Sequence, residues 1–436
     1  MPFDSVTPHP IPLPSGERGG EGERYRWTFL EIKKEDIIMV ERKKGNEDIV
    51  LRFSTQEIIR RHRKIREIMQ LRGIDCLIIT GNTGYNNSLA ADIRYVAGLS
   101  GLAADGTYIL FPLMGEPVYL APSPFMAARI ENQCLIPVAP VAFKKGTRIR
   151  DYASDLVARI KDLGLEKGTI GIVSLRVMPA GAYMDIRRDL PYANFVSAGD
   201  ILLECRMIKS SEELEFIRKA GRCADKGIEA IVEAAHPGVT EAELTAKCDY
   251  AMIRAGVDRG PFILLGSKPW EKFQGSIGDT SQSQRELQKG DIILTELSPS
   301  YGGYYAQLCV PISIGGSVPR SFTRLLHIDK EIYQLALEEL RPGNTVAAIE
   351  EKIFKLASQR GNFRRAWALQ SVELAESFFK FDVEIKTNMS YVIHPWTEFS
   401  SGKGLQGHTI GNTVIITGGE PEQVNRSPLN LIVVKA

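Results

Sequence analysis

Two stretches of this chain begin alike and run for the same length. Pro237–Gly256 reads PGVTEAELTAKCDYAMIRAG, and Pro342–Gly361 reads PGNTVAAIEEKIFKLASQRG. Each opens Pro-Gly-x-Thr, continues as an amphipathic helix and closes on Gly. Thr240 and Thr345 are N-cap candidates, and Glu243, three residues after Thr240, completes a capping box. A further helix is expected before each, over Glu212–Ala235 and Ser321–Leu340. β-rich sequence follows each, over Phe262–Ile314 and Ser390–Val434. The second part of the chain therefore reads as two similar halves, each helix, helix, sheet.

The first part has a different rhythm. A helix is expected over Thr55–Arg72, ended by Gly73, and CLIIT at Cys76–Thr80 has the signature of a buried strand. Strands follow at Thr107–Phe111, Val118–Leu120 and Ile170–Val173, with Gly115-Glu116-Pro117 as the turn between the first two. Helices are expected at Ser123–Glu131, Ile149–Leu163 and Tyr183–Leu190. This alternation over Ser54–Ala198 predicts an α/β domain. Three regions result: residues 1–50, 54–205 and 206–436. In the first, Pro8–Glu23 is rich in Pro, Gly and charge, without the apolar core of a signal peptide. It resembles translated intergenic repeats, which would put the biological start at Met39. The competing reading is a disordered native tail.

With 436 residues, 44% apolar and 25% charged, the chain has the composition of an ordinary soluble protein. A formal net charge of +1 gives no pull toward nucleic acid or a membrane surface. No apolar run approaches the length of a membrane span. Six cysteines are scattered without a CxxC pair, which argues against a zinc ribbon or a disulfide framework and for reduced, cytoplasmic thiols.

Gly290–Gly315, GDIILTELSPSYGGYYAQLCVPISIG, reads as two strands joined by a turn at Gly302-Gly303. Glu296 on the first and Gln307 on the second are polar where a strand should face a cavity. This hairpin, the helix-opening RMIKSSEELEFIRKAG at Arg206–Gly221 and DIRYVAG at Asp92–Gly98 resemble the pita-bread family of Xaa-Pro aminopeptidases, prolidases and creatinases. The resemblance runs from about Ser54 to the C-terminus. It implies a creatinase-like N-terminal α/β domain followed by a pseudo-two-fold pita-bread domain of α+β type, in a homodimer. In that family the first domain leans over the active site, often the partner's, which makes Arg94 and Tyr95 candidates to touch substrate. The plainer reading has Tyr95 in the core and Arg94 in a salt bridge.

Metallopeptidases of this family hold two metal ions with two Asp, one His and two Glu, because several anionic and imidazole ligands are needed to activate a bridging water. The resemblance places Glu296 and Gln307 at the two Asp positions, His394 of NMSYVIHP at the first Glu and Gly411 of TIGNT at the second. The ligand His has no counterpart, and Asn362–Glu384 looks shortened. No cofactor is expected, and a divalent metal is disfavoured. Creatinase shares the fold and hydrolyses a C–N bond without metal through a His. Its His would fall within Phe262–Asp279, which has none, and its substrate-binding Glu at Cys309. Ectoine hydrolase widens the class to cyclic amidines and small zwitterions.

Glu296 and His394 are thus the candidate catalytic pair, the carboxylate orienting the imidazole or attacking carbon itself. Gln307, His408, Arg94 and Tyr304 are the candidate substrate-binding residues. Tyr304, Tyr305 and Trp396 could wall an aromatic box, though the adjacent tyrosines cannot both face inward. Bland readings stand beside these: Cys309 as a small buried hydrophobe, Trp396 as packing, His236 on terminal carbonyls, His62 and His327 at the surface. The leading expectation is a metal-independent hydrolase of a small amide, amidine or cyclic zwitterion. The alternatives are a metal-dependent Xaa-Pro aminopeptidase or prolidase, and a non-catalytic binding module.

Overall fold

Ser54 starts the first helix, its hydroxyl accepting from the Glu57 N–H. In this computed structural model the helix, α1 (Thr55–Leu71), buries Ile58, Arg61, His62, Ile65, Ile68 and Met69 on one side. The structure describes residues 53–80, 91–99, 107–131, 133–147, 150–173, 175, 178–258, 262–272, 283–316, 318–361, 363–372, 376–377, 383–399, 405–406 and 410–435. The extension over residues 1–50 and His408 lie outside them.

Six strands form the first sheet: β1 (Cys76–Thr80), β2 (Tyr108–Pro112), β3 (Val118–Ala121), β4 (Val138–Pro140), β5 (Thr169–Val173) and β6 (Asn194–Ser197). Their order is β4-β3-β2-β1-β5-β6, with β1 parallel to β5 and antiparallel to β2. Strand β1 is buried throughout because helices cover both faces. Leu77 and Ile79 pack toward α1, α2 (Ala91–Ala97), α3 (Pro124–Glu131) and, later in the chain, α6 (Gly199–Met207). Cys76 and Ile78 pack toward α4 (Tyr152–Asp162) and α5 (Ala180–Asp189). His62, expected at the surface, is buried instead. Its Nε2 lies 2.8 Å from the Val96 carbonyl oxygen, and burial lowers its pKa.

Capping boxes open the next two helices, Ser210 with Glu213 before α7 (Ser211–Ala234) and Thr240 with Glu243 before α8 (Glu241–Arg254). Strands β7 (Phe262–Lys268), β8 (Ile292–Ser298), β9 (Ser300–Tyr301), β10 (Tyr304–Tyr305), β11 (Leu308–Cys309) and β12 (Ile312–Ile314) complete this half. The other half starts with α9 (Arg320–Glu339) and α10 (Val346–Arg360), the latter capped by Thr345. Strands β13 (Phe363–Val372), β14 (Glu376–Ser377), β15 (Ser390–Phe399), β16 (Leu405–Gln406), β17 (Gly411–Ile415), β18 (Glu422–Gln423) and β19 (Ile432–Val434) follow.

The repeat seen in sequence is a repeat in space. Thr240 bridges Glu286 in one half, and Thr345 bridges Glu384 in the other. The Gly238 N–H donates to the Leu287 carbonyl at 2.9 Å, and the Gly343 N–H to the Ile385 carbonyl at 3.0 Å. The halves join in one sheet of order β14-β13-β15-β17-β11-β8-β12-β19, with the seam between β11 and β17. No helix among the described residues is long and apolar enough to cross a membrane.

Candidate active site

Alternation along the seam strands decides which side chains face the helices and which face away. Ile293 and Leu297 of β8, with Leu308 and Val310 at β11, pack among residues of α7 and α8. Glu296, Ser298, Gln307 and Cys309 are therefore turned to the opposite face. Tyr391 and Ile393 of β15 pack with α9 and α10, which turns His394 away from those helices. In register, Leu308 faces Leu297, Cys309 faces Gly411 and Ile393 faces Asn412. Carried one residue on, these ladders place Glu296, Cys309, Gly411 and His394 in one row across four strands. Ordinary strand spacing makes that row about 14 Å wide. Glu296 and His394 also hold equivalent places in the two halves, each ten residues after its bridging Glu.

Gln307 is 1% exposed and Glu296 8%. The Gln307 Nε2 donates to the Glu296 Oε1 at 2.7 Å and to the Ser298 hydroxyl at 3.2 Å. Against an ionised Glu296, which only accepts, this is the amide orientation that bonds. The Gln307 Oε1 is then a buried acceptor without a hydrogen-bond partner among the described residues. Thr413 anchors the backbone below it: its hydroxyl accepts from the Gln307 N–H at 2.7 Å and lies 3.2 Å from the Gln307 carbonyl.

His394 is 3% exposed. The Trp367 ring meets it edge to face at 5.3 Å, and Trp367 stacks on Trp396 at 5.8 Å. Trp367 and Trp396 are cross-strand partners of β13 and β15. One step on, the register slips between Trp367 and Leu369, so that His394 and Pro395 together oppose Ala368. Such a bulge re-aims a side chain, and Pro395, which has no N–H to give a ladder, suits it.

The remaining predicted residues fare differently. Tyr304 does not line this face. Its hydroxyl donates to the Glu213 Oε1 at 2.6 Å and accepts from the Arg61 guanidinium at 3.1 Å, and its ring packs against Phe53 and Phe216. Burial pushes its phenol pKa well up. Tyr305 takes the inward place beside Val392, as expected if only one of the pair can. Arg94 is buried in α2, within the first part of the chain. Tyr95 is core, its hydroxyl donating to the Cys205 carbonyl at 3.2 Å. His327 is exposed beside Glu331. Sequence reading missed Trp367, Ser298 and Thr413. Trp367 lay in a stretch read only as shortened, though its aromatic partner Trp396 was a signal for cross-strand pairing.

A dimetal centre does not fit these residues. Gln307 presents an N–H to Glu296 where a second carboxylate would be needed. At Gly411 an added Cβ would lie 2.6 Å from the His394 Cβ and 2.9 Å from the Ile393 carbonyl oxygen, so the strand has no room for a Glu. Among the described residues no group of three or more His, Cys, Asp or Glu could hold a metal ion.

Comparison with known proteins gives the frame. Residues 61–208 match the creatinase/prolidase N-terminal domain, and residues 215–418 match metallopeptidase family M24. The Xaa-Pro dipeptidase of Pyrococcus horikoshii is 25% identical over 69% of this chain and 76% of its own. The creatinase of a Bacillus species is 27% identical over 88% of this chain and 94% of its own. The crystal structure of the dipeptidase PepE from Mycobacterium ulcerans superposes with a TM-score of 0.71 at 23% identity, covering 88% of this chain and 100% of that one. The chain belongs to the pita-bread family of creatinases, Xaa-Pro aminopeptidases and prolidases.

Proposed function

We propose that this protein hydrolyses a C–N bond in a small amide, amidine or cyclic zwitterion, without a metal ion, using Glu296 and His394. The observation that carries the reading is the buried bond from the Gln307 amide to Glu296, beside an amide oxygen with no donor among the described residues. A buried acceptor left unpaired costs about 1–3 kcal/mol. A substrate N–H would satisfy it, and the neighbouring carboxylate favours a substrate that is cationic there. The stacked Trp367 and Trp396 stand beside His394, at the other end of the row. The creatinase relative, matched over most of both chains, agrees with a small C–N substrate.

In this reading His394 takes a proton from a water molecule as the water oxygen attacks the substrate carbon. It returns that proton to nitrogen as the C–N bond breaks. The hydroxyl ends on carbon and the hydrogen on nitrogen, so the step balances with water alone. Glu296 and Gln307 bind the substrate's cationic end, across the row from the bond that breaks at His394. His408, with Arg94 of the partner subunit in a homodimer, would bind the other end of a zwitterion.

A second reading, a metal-dependent Xaa-Pro peptidase, is favoured by the name of the Pyrococcus relative. One experiment separates them: metal content by mass spectrometry on protein purified without chelator, with cleavage assays on Xaa-Pro dipeptides and on a panel of amidines, betaines and cyclic zwitterions. The expected result is turnover of a panel member, indifferent to chelator and reduced about 10²–10⁴-fold in Glu296→Gln and His394→Ala. Stoichiometric metal with chelator-sensitive dipeptide cleavage would establish the second reading. A bound ligand never turned over would point to a binding module.

A further inference from the structure

We infer that Glu350 is the positioning residue for His394, acting through the bulge that carries it. The inference rests on His394 belonging to the site. Where β15 spends two residues, His394 and Pro395, against Ala368, the ladder to β13 is interrupted. The β13 N–H groups at the interruption are satisfied from outside the sheet. The Glu350 carboxyl reaches across from α10 and accepts from the Ala368 N–H at 3.1 Å and the Leu369 N–H at 2.8 Å. Those two residues directly follow Trp367, whose ring meets the His394 imidazole at 5.3 Å and 83°. One carboxyl thus replaces the ladder at the point where the Trp367 side chain is set against His394.

This placement is costly in itself. Burial raises the Glu350 pKa to about 7, and the two backbone N–H donors offset it only in part. A Gln or Ser would satisfy N–H groups at lower cost.

The test needs no substrate, so it is read whether or not the hydrolase reading stands. Histidines carrying 13C at Cε1 are observed by NMR at one alkaline pH, with the His394 signal assigned by His394→Gln. Trp367→Phe defines the part of its shift that comes from the Trp367 ring. In Glu350→Ala the His394 signal is expected to move at least halfway to its Trp367→Phe position, while His62, buried in the first part of the chain, does not move. Glu350→Gln, which keeps one acceptor oxygen, is expected to move it less. If the Ala variant fails to fold, a shift in Glu350→Gln with His62 unmoved supports the inference. A His394 signal unmoved in the folded variants, or moving only together with His62, overturns it.

Discussion

Gly411 faces His394 so closely that an added Cβ would meet the His394 Cβ at 2.6 Å and the Ile393 carbonyl oxygen at 2.9 Å. Neither neighbour is the free end of a flexible side chain, so the strands themselves would have to part. Gly411→Ala should cost about 1–3 kcal/mol by overpacking and lower the thermal midpoint. An unchanged midpoint would mean that β17 relaxes freely and that a Glu could be accommodated there after all. The same crowding explains why the site could be read only partly from sequence. Glu296, Gln307 and His394 were legible because polar residues interrupt apolar strands, and alternation put them on one face. Tyr304 misled although Tyr305, two residues before Gln307, has the parity of the site face. The Arg61 and Glu213 that claim its hydroxyl come from segments far apart in the chain. Trp367 gained its role from a register slip, which leaves no local mark except Pro395.

At the scale of elements, α10 and β13 are tied by Glu350, and that tie carries a pH dependence. Its folded pKa, about 7, lies above the ordinary 4.5. The folded state therefore holds the proton more tightly, and stability falls as pH rises across that interval. Relative to Glu350→Gln, the wild type should lose about 3 kcal/mol between pH 4.5 and pH 8. Urea denaturation of both proteins at the two pH values measures it, and parallel curves would refute the assignment. The elements themselves were the most legible part of the sequence. The repeated Pro-Gly-x-Thr fixed two helix starts, because a capping threonine and a turn glycine act within a few residues. Helix α1 ends at Leu71, one residue before the expected Arg72. Strand β7 occupies Phe262–Lys268 and pairs with β8, in the region where the creatinase His would fall.

Across the whole molecule, the first part of the chain is fastened to the second by buried charge. Arg61 is fully buried. Its guanidinium lies 2.7 Å from Glu57, 3.5 Å from Glu213 and 3.1 Å from the Tyr304 hydroxyl, and it stacks 4.0 Å over the Phe53 ring. Arg60 bonds the same two carboxylates, at 2.8 and 2.9 Å. Burial alone would raise the Glu57 pKa, yet the hydrogen bonds and charges of Arg60 and Arg61 hold it below its ordinary value. That contribution is present above pH 4.5 and is lost as pH falls through the lowered value. Tyr304 connects this cluster to the site, since it lies three residues before Gln307 on the same hairpin. Arg61→Ala leaves carboxylates that Arg60 alone must neutralise, and breaking a buried pair in this way typically costs about 3–5 kcal/mol. Arg61→Lys should recover little, because an ammonium cannot bond Glu57 and Tyr304 while stacking on Phe53. Hydrogen exchange in Arg61→Ala should quicken across residues 300–309 as well as in α1, since the hairpin loses the anchor at Tyr304. A stability loss below 1 kcal/mol, or faster exchange confined to α1, would show that the cluster is only a surface-like bridge and that Gln307 is held by β8 and Thr413 alone.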